Sequence, residues 1–158
     1  MPATAQNALF IPFGQREDEV LQDLRARDYI REIRRETQEL RIVAFLHQAH
    51  LYYYIDEDIL YAVEDVRRYG DRKEAEHIVQ TCMDFMTLDE RRIRQVDSDL
   101  GGHHYATVDE ERIIELHVQD LGTRRKPDIV VSLKVTSRLY GPRMQTEAFA
   151  ARLIAKNL

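Results

Sequence analysis

The distribution of glycine and proline constrains this sequence more than any other feature. From Gln15 to Leu100 there is one glycine, Gly70, and no proline, whereas Gly101 to Pro142 holds four glycines and two prolines. Helices tolerate few such breakers, while strands joined by turns need them. Residues 15–100 are therefore expected to be helical, residues 101–140 to be β-structure and residues 143–158 to form a closing helix. The expected fold is α+β. Its helical N-terminal two-thirds, of four to five helices, packs with a small antiparallel sheet of two to three strands and a C-terminal helix. A length of 158 residues fits a single domain with one core.

Local signals refine this division. Met1 to Gly14 carries Leu9, Phe10, Ile11 and Phe13 around Pro12, which reads as an apolar arm that docks on the body or on a neighbouring protomer. Glu17, Asp18 and Glu19 favour the start of a helix expected to reach about Thr37. Leu40 to Tyr54 is apolar on nearly every face and reads as a continued helix or a buried strand, with helix favoured because no turn signal precedes it. Asp56 suits the cap of a helix ending at Gly70. Asp71 with Glu74 forms a capping-box-like start for the next one, whose inward set includes Ile78, Val79, Cys82 and Phe85. Thr87 with Glu90 repeats that signature and predicts a further helix from Leu88. Beyond Gly102 the period changes to two: Ile114, Leu116 and Val118 mark one strand, and Val131, Leu133, Val135 and Leu139 another. Tyr105 to Val108 supplies a shorter third.

Charge and cysteine content bound the function classes. The 23 basic and 28 acidic side chains leave a formal charge of −5, but unevenly. Residues 1–111 hold 14 basic and 24 acidic groups, and residues 112–158 hold 9 and 4. Two parts of opposite sign attract each other within a domain or between protomers. The single cysteine, Cys82, excludes an intrachain disulfide framework and a cysteine-based zinc ribbon. No apolar stretch approaches the ~18 residues of a membrane span, and the start lacks the pattern of a secretory signal. These features predict a soluble, cytoplasmic protein with no membrane partner and no cofactor.

Three constellations carry candidate chemistry. His103, His104, Glu115 and His117 have the composition of a metal site, as a metal-dependent hydrolase would use, though at no established ligand spacing. Arg124, Arg125 and Lys126 between the two longer strands, with Lys134, Arg138 and Arg143, would line a phosphate backbone if the protein binds nucleic acid. Tyr52, Tyr53 and Tyr54, with Phe10 and Phe13 of the arm, offer the aromatic surface typical of interfaces. No nucleophile elbow, phosphate loop or dinucleotide fingerprint is present, so no complete catalytic set emerges. The expected function is accordingly a non-enzymatic protein–protein interaction protein, an adaptor, assembly subunit or regulator that associates with itself.

Overall fold

The computed structural model describes residues 12–88, 91–96 and 102–155. Its elements in chain order are α1 (Glu17–Arg25), β1 (Glu32–Glu36), β2 (Arg41–Phe45), β3 (Ala49–Asp56), β4 (Ile59–Tyr69) and α2 (Arg72–Met86), then β5 (Arg94–Val96), β6 (His103–Val108), β7 (Arg112–Asp120), β8 (Ile129–Ser137) and α3 (Arg143–Ala155). All eight strands join one antiparallel sheet in the order β1-β2-β3-β4-β8-β7-β6-β5. Each half is a four-strand meander preceded by a helix. The halves meet through their last strands, β4 and β8, paired from Ala62↔Thr136 to Tyr69↔Ile129.

This overturns the expected helical N-terminal two-thirds and the α+β description. One eight-strand sheet carries the fold, with only three short helices among the described residues. Residues 32–36, 41–45, 49–56 and 59–69 are strands where helices were expected, and Arg94–Val96 is a strand where a helix from Leu88 was expected. The physical reason lies in the turns. Leu40, Glu57 and Asp58 hold the left-handed conformation, with φ of 49°, 48° and 67°. Glu57 and Asp58 join β3 to β4 with positive φ at both turn residues, the pattern usually filled by Asn-Gly. Ordinary side chains thus perform the work of glycine, and the breaker signal vanishes from the sequence. The helix capped by Asp71 does form: its carboxylate accepts from the backbone N–H of Lys73 and Glu74.

Cross-strand alternation divides the sheet into two faces. On the first face lie Val63, Asp65, Leu133, Val135, Ile114 and Leu116, together with Tyr53, Leu51 and Ile42. Helix α1 covers one half through Val20 and Leu24, and α2 covers the other through Ala75, Cys82, Phe85 and Met86. Phe13 packs between the two clusters. Among the described residues, the second face is covered only at one end, where Ala150 and Leu153 of α3 pack on Ala106 and Ile113. Gly141 turns the chain onto that face with φ of 84°, and a Cβ there would lie 2.3 Å from the Tyr61 ring, so glycine is required. On α3, Leu153 is buried and Phe149 half-buried, while Ile154 is exposed. No helix among the described residues is long and apolar enough to cross a membrane.

An ion pair lies on the first face. Asp65 is fully buried, and its carboxylate accepts from Nε of Arg67 at 3.1 Å. Asp65→Ala leaves the half-buried Arg67 guanidinium without this partner. Urea denaturation is expected to show a loss of about 1–3 kcal/mol. Leu40→Gly should act the other way. The left-handed strain of about 1–2 kcal/mol is relieved, glycine's greater unfolded-state entropy returns about 0.5–1 kcal/mol of it, and the same titration should record a small gain.

Candidate docking face

The part of the second face that α3 leaves uncovered belongs to β2, β3, β4 and β8. Register places its side chains in rows across the strands. One row runs Val43, Tyr52, Glu64, Lys134, Glu115; the next runs Phe45, His50, Val66, Ser132, His117, His104. Phe45, Tyr52, Tyr54, Val66 and Val130 are half-buried there without a helix above them. Cations lie on the rings instead. The Arg34 guanidinium sits 5.0 Å from the Phe45 centroid, Arg41 lies 4.3 Å from Tyr52, and the Lys134 ammonium lies 4.5 Å from Tyr54. His50 meets Phe45 edge-on at 4.8 Å.

Glu64 organises the centre of this face. It accepts from the Tyr54 hydroxyl at 2.7 Å through one oxygen and from the Ser132 hydroxyl at 2.5 Å through the other. Arg41 bonds Glu36 at 2.7 Å and donates to the Tyr54 hydroxyl at 3.3 Å. Burial disfavours the Arg41 charge, but Glu36 and Tyr54 outweigh it and hold the guanidinium more firmly protonated than usual. Burial first, and then the Glu64 carboxylate, push the Tyr54 hydroxyl well above the ordinary tyrosine value. At the β2–β3 turn, the face opens into a cleft of about 580 Å³ that reaches His50, Tyr52, Val66, Arg68 and Val130.

The residues singled out from sequence are distributed unequally. Phe10 lies outside the described residues. Phe13 is half-buried between the two core clusters. Tyr52 and Tyr54 occupy the open face, whereas Tyr53 points the opposite way and is fully buried beneath α1. A period-two reading of residues 49–56 separates them, since Leu51, Tyr53 and Ile55 share the buried side. The same reading would have found Arg41 and Glu64, which sequence reasoning missed.

The basic residues do not form one strip. Arg124, Arg125 and Lys126 sit exposed in the β7–β8 connection, whereas Arg138 and Arg143 lie beyond the other end of β8, a nine-residue strand about 30 Å long. Lys134 lies between them on the Tyr54 ring, and Arg138 is held by Glu147 at 2.9 Å and by the Asp109 carbonyl at 2.6 Å. The proposed metal set also divides. His104 bonds Glu115 at 3.1 Å and lies 5.3 Å from the His117 ring on the second face. His103 is on the first face, stacked on Tyr105 beside a cleft of about 880 Å³ bordered by α2. Among the described residues, no three His, Cys, Asp or Glu side chains converge as a metal ion would require. No known family, curated protein or solved structure matches the chain.

Chemically, this face offers aromatic contact area, both signs of charge and few displaced hydrogen-bonding groups. Ser132 and Tyr54 donate to Glu64 rather than to a catalytic base, and the surface is open to water. Its ionisation has a measurable signature. Tyr52, Tyr53, Tyr54, Tyr61 and Tyr69 are all raised above 10.0, in each case chiefly by burial. A group whose folded value is raised loses its stabilising contribution as pH climbs through that range. Ultraviolet titration should find late-ionising tyrosines, and unfolding free energy should fall as pH rises past 10. The buried Cys82 thiol, pushed up from 9.0 to about 11 mainly by burial, should resist thiol reagents until the chain unfolds.

Proposed function

We propose that this chain is a non-catalytic protein-interaction module whose docking surface is the uncovered part of the second face. One observation carries the reading: among the described residues, no helix covers Phe45, Tyr52 and Tyr54, which remain half-buried, whereas α3 covers the other end of the same face. Rings of this kind supply contact area at low entropic cost, and they are enriched in interfaces.

Charge favours a protein partner over a nucleic acid. Arg34, Arg41 and Lys134 share the face with Glu32, Glu36 and Glu64, so it offers no net positive field for phosphates. The sheet edges favour a facial mode of docking. Strand β1 carries Glu32, Arg34, Arg35 and Glu36 along one edge, and β5 at the other edge is three residues long. Charged and very short edges discourage added strands.

Site-specific photo-crosslinking tests the reading. A photoreactive residue replacing Tyr52 in living source cells should give a discrete covalent protein adduct. The same residue at Tyr29, 49% exposed in the α1–β1 connection, should give none. Equal labelling at both positions, or none at either, overturns the proposal.

A further inference from the structure

We infer that a notch inside the sheet, beside Arg68 and Gly70, takes the C-terminal end of an extended peptide as a short added strand. The site needs main chain rather than rings and stands independently of the docking reading above. It lies away from the charged and short outer edges, and it exists because β4 outruns β3. Their ladder ends at Ala49↔Arg67, yet β4 continues to Tyr69 beside β8. The direction of each backbone group follows from the pairing, since antiparallel strands exchange bonds at every second residue. Leu46 donates to the Ala49 carbonyl and Ile55 to that of Leu40, so Ala49, Leu51 and Tyr53 bond β2, whereas His50 and Tyr52 bond β4. Through the β3–β4 register, Val66 therefore faces β3, Arg67 faces β8, and Arg68 faces β3 again. The Leu121 N–H to Asp128 carbonyl bond beyond β8 has the same phase. But β3 has no residue opposite Arg68, because Gln48 belongs to the turn. Among the described residues, neither the N–H nor the C=O of Arg68 has a backbone partner.

The surroundings keep this edge open. The cleft of about 580 Å³ lies against it, with His47, Gln48, Val66 and Gly70 among its walls. The Arg68 guanidinium is drawn toward β8 by its two bonds to Asp128. A Cβ placed on Gly70 would meet nothing within 4 Å. An uncovered strand edge is a template for another strand, and the chain treats the other gap along β4 in that way. There, where the ladder with β8 stops at Ala62↔Thr136, an extended segment of the chain itself takes over. Gly14 donates to the Leu60 carbonyl, Leu60 donates to that of Gln15, and Arg16 bridges to Ile59.

Geometry selects the occupant. A strand filling the notch lies in line with β3, so only a chain end fits against Ala49. Antiparallel to β4, like its two neighbours, that end is the C-terminus. The last residue then stands opposite Arg68. Its N–H donates to the Arg68 carbonyl, one carboxylate oxygen accepts from the Arg68 N–H, and the other faces the β2–β3 turn. Donors are at hand there. Arg31 donates to Nδ1 of His47 at 2.8 Å, and because arginine has no acceptor, the ring hydrogen is on Nε2. That Nε2–H and the Gln48 amide suit a carboxylate. The last side chain shares the face of Val66 and Val130, which favours an apolar residue, and the one before it turns toward Arg67 and Tyr69, which favours a polar one. Three residues, about 10 Å of strand, cover Arg68 to Gly70. Main-chain bonds of this kind supply affinity, and the alternating side chains supply specificity.

Hydrogen exchange read by NMR tests the notch. The Arg68 N–H should exchange at least about tenfold faster than those of Val66 and Tyr69, which are bonded to β3 and β8. Equal protection overturns the open edge and the site with it. Titration with the free acid of acetyl-Val-Thr-Val tests the ligand. Shifts should centre on Arg68, Gly70 and His47, and exchange at Arg68 should slow. The C-terminal amide should bind about tenfold more weakly, since charge-assisted bonds are lost, and His47→Ala should narrow that preference. N-methylation of the last residue removes the N–H aimed at the Arg68 carbonyl and should abolish binding. A peptide that leaves Arg68 and Gly70 unmoved at millimolar concentration, or that binds equally well when N-methylated, overturns strand addition. Equal binding of acid and amide overturns the chain end as occupant. A protein adduct at position 52 that the peptide does not displace belongs to the open face, so the two readings fail separately.

Discussion

The β4–β8 ladder is the constraint on which the rest of this structure depends. Each flanking meander has its own helix and its own apolar cluster, but only this ladder joins them into one layer. Val63, Leu133 and Val135 are all fully or almost fully buried along it, and the buried Asp65 sits directly opposite Leu133. Separating the ladder would create two new edges, each with a row of unpaired backbone groups. The open face also depends on it. Glu64 from one half and Ser132 and Lys134 from the other become neighbours only because β4 and β8 pair.

The two halves repeat in topology and differ in cover. α1 and α2 occupy equivalent places on the first face, each ahead of a four-strand meander. After β8 the chain turns at Gly141 onto the opposite face, whereas after β4 it turns at Gly70 into α2 on the first. Among the described residues, only one half of the second face therefore receives a helix. The other half covers its rings with arginine and lysine heads whose stems lie along the apolar surface. Such cation–ring contacts at exposed positions contribute about 0.5–1 kcal/mol each. A packed partner exchanges them at little loss.

What was legible in the sequence follows from which signals are local. The α2 cap was readable because Asp71 and Glu74 act within one turn of chain. Strands β7 and β8 were readable because glycines and prolines isolate them and their inward residues alternate cleanly with polar ones. Strands β1 to β4 were obscured twice. Their turns use Leu40, Glu57 and Asp58 at positive φ, so no breaker marks the ends. The exposed side of β3 carries Tyr52 and Tyr54, which count as apolar and erase the alternation that the buried Leu51, Tyr53 and Ile55 would otherwise display. A strand aromatic on its open side imitates a segment buried all round, and only pairing partners distant in sequence resolve it.

That concealment and the candidate function share one cause. A sheet face meant only for water would carry threonine, lysine and glutamate, and period two would be plain. Here the open face instead holds rings with ring-bound cations and a glutamate whose two oxygens are both engaged by neighbouring hydroxyls. Pre-formed bonds of this kind lower the number of polar groups a partner must satisfy, because Tyr54, Ser132 and Glu64 already satisfy one another. They also fix the rotamer of Tyr54, which on the proposed docking reading reduces the ordering cost of association. The rings that made these strands hard to read are therefore the same ones on which the proposed docking surface rests.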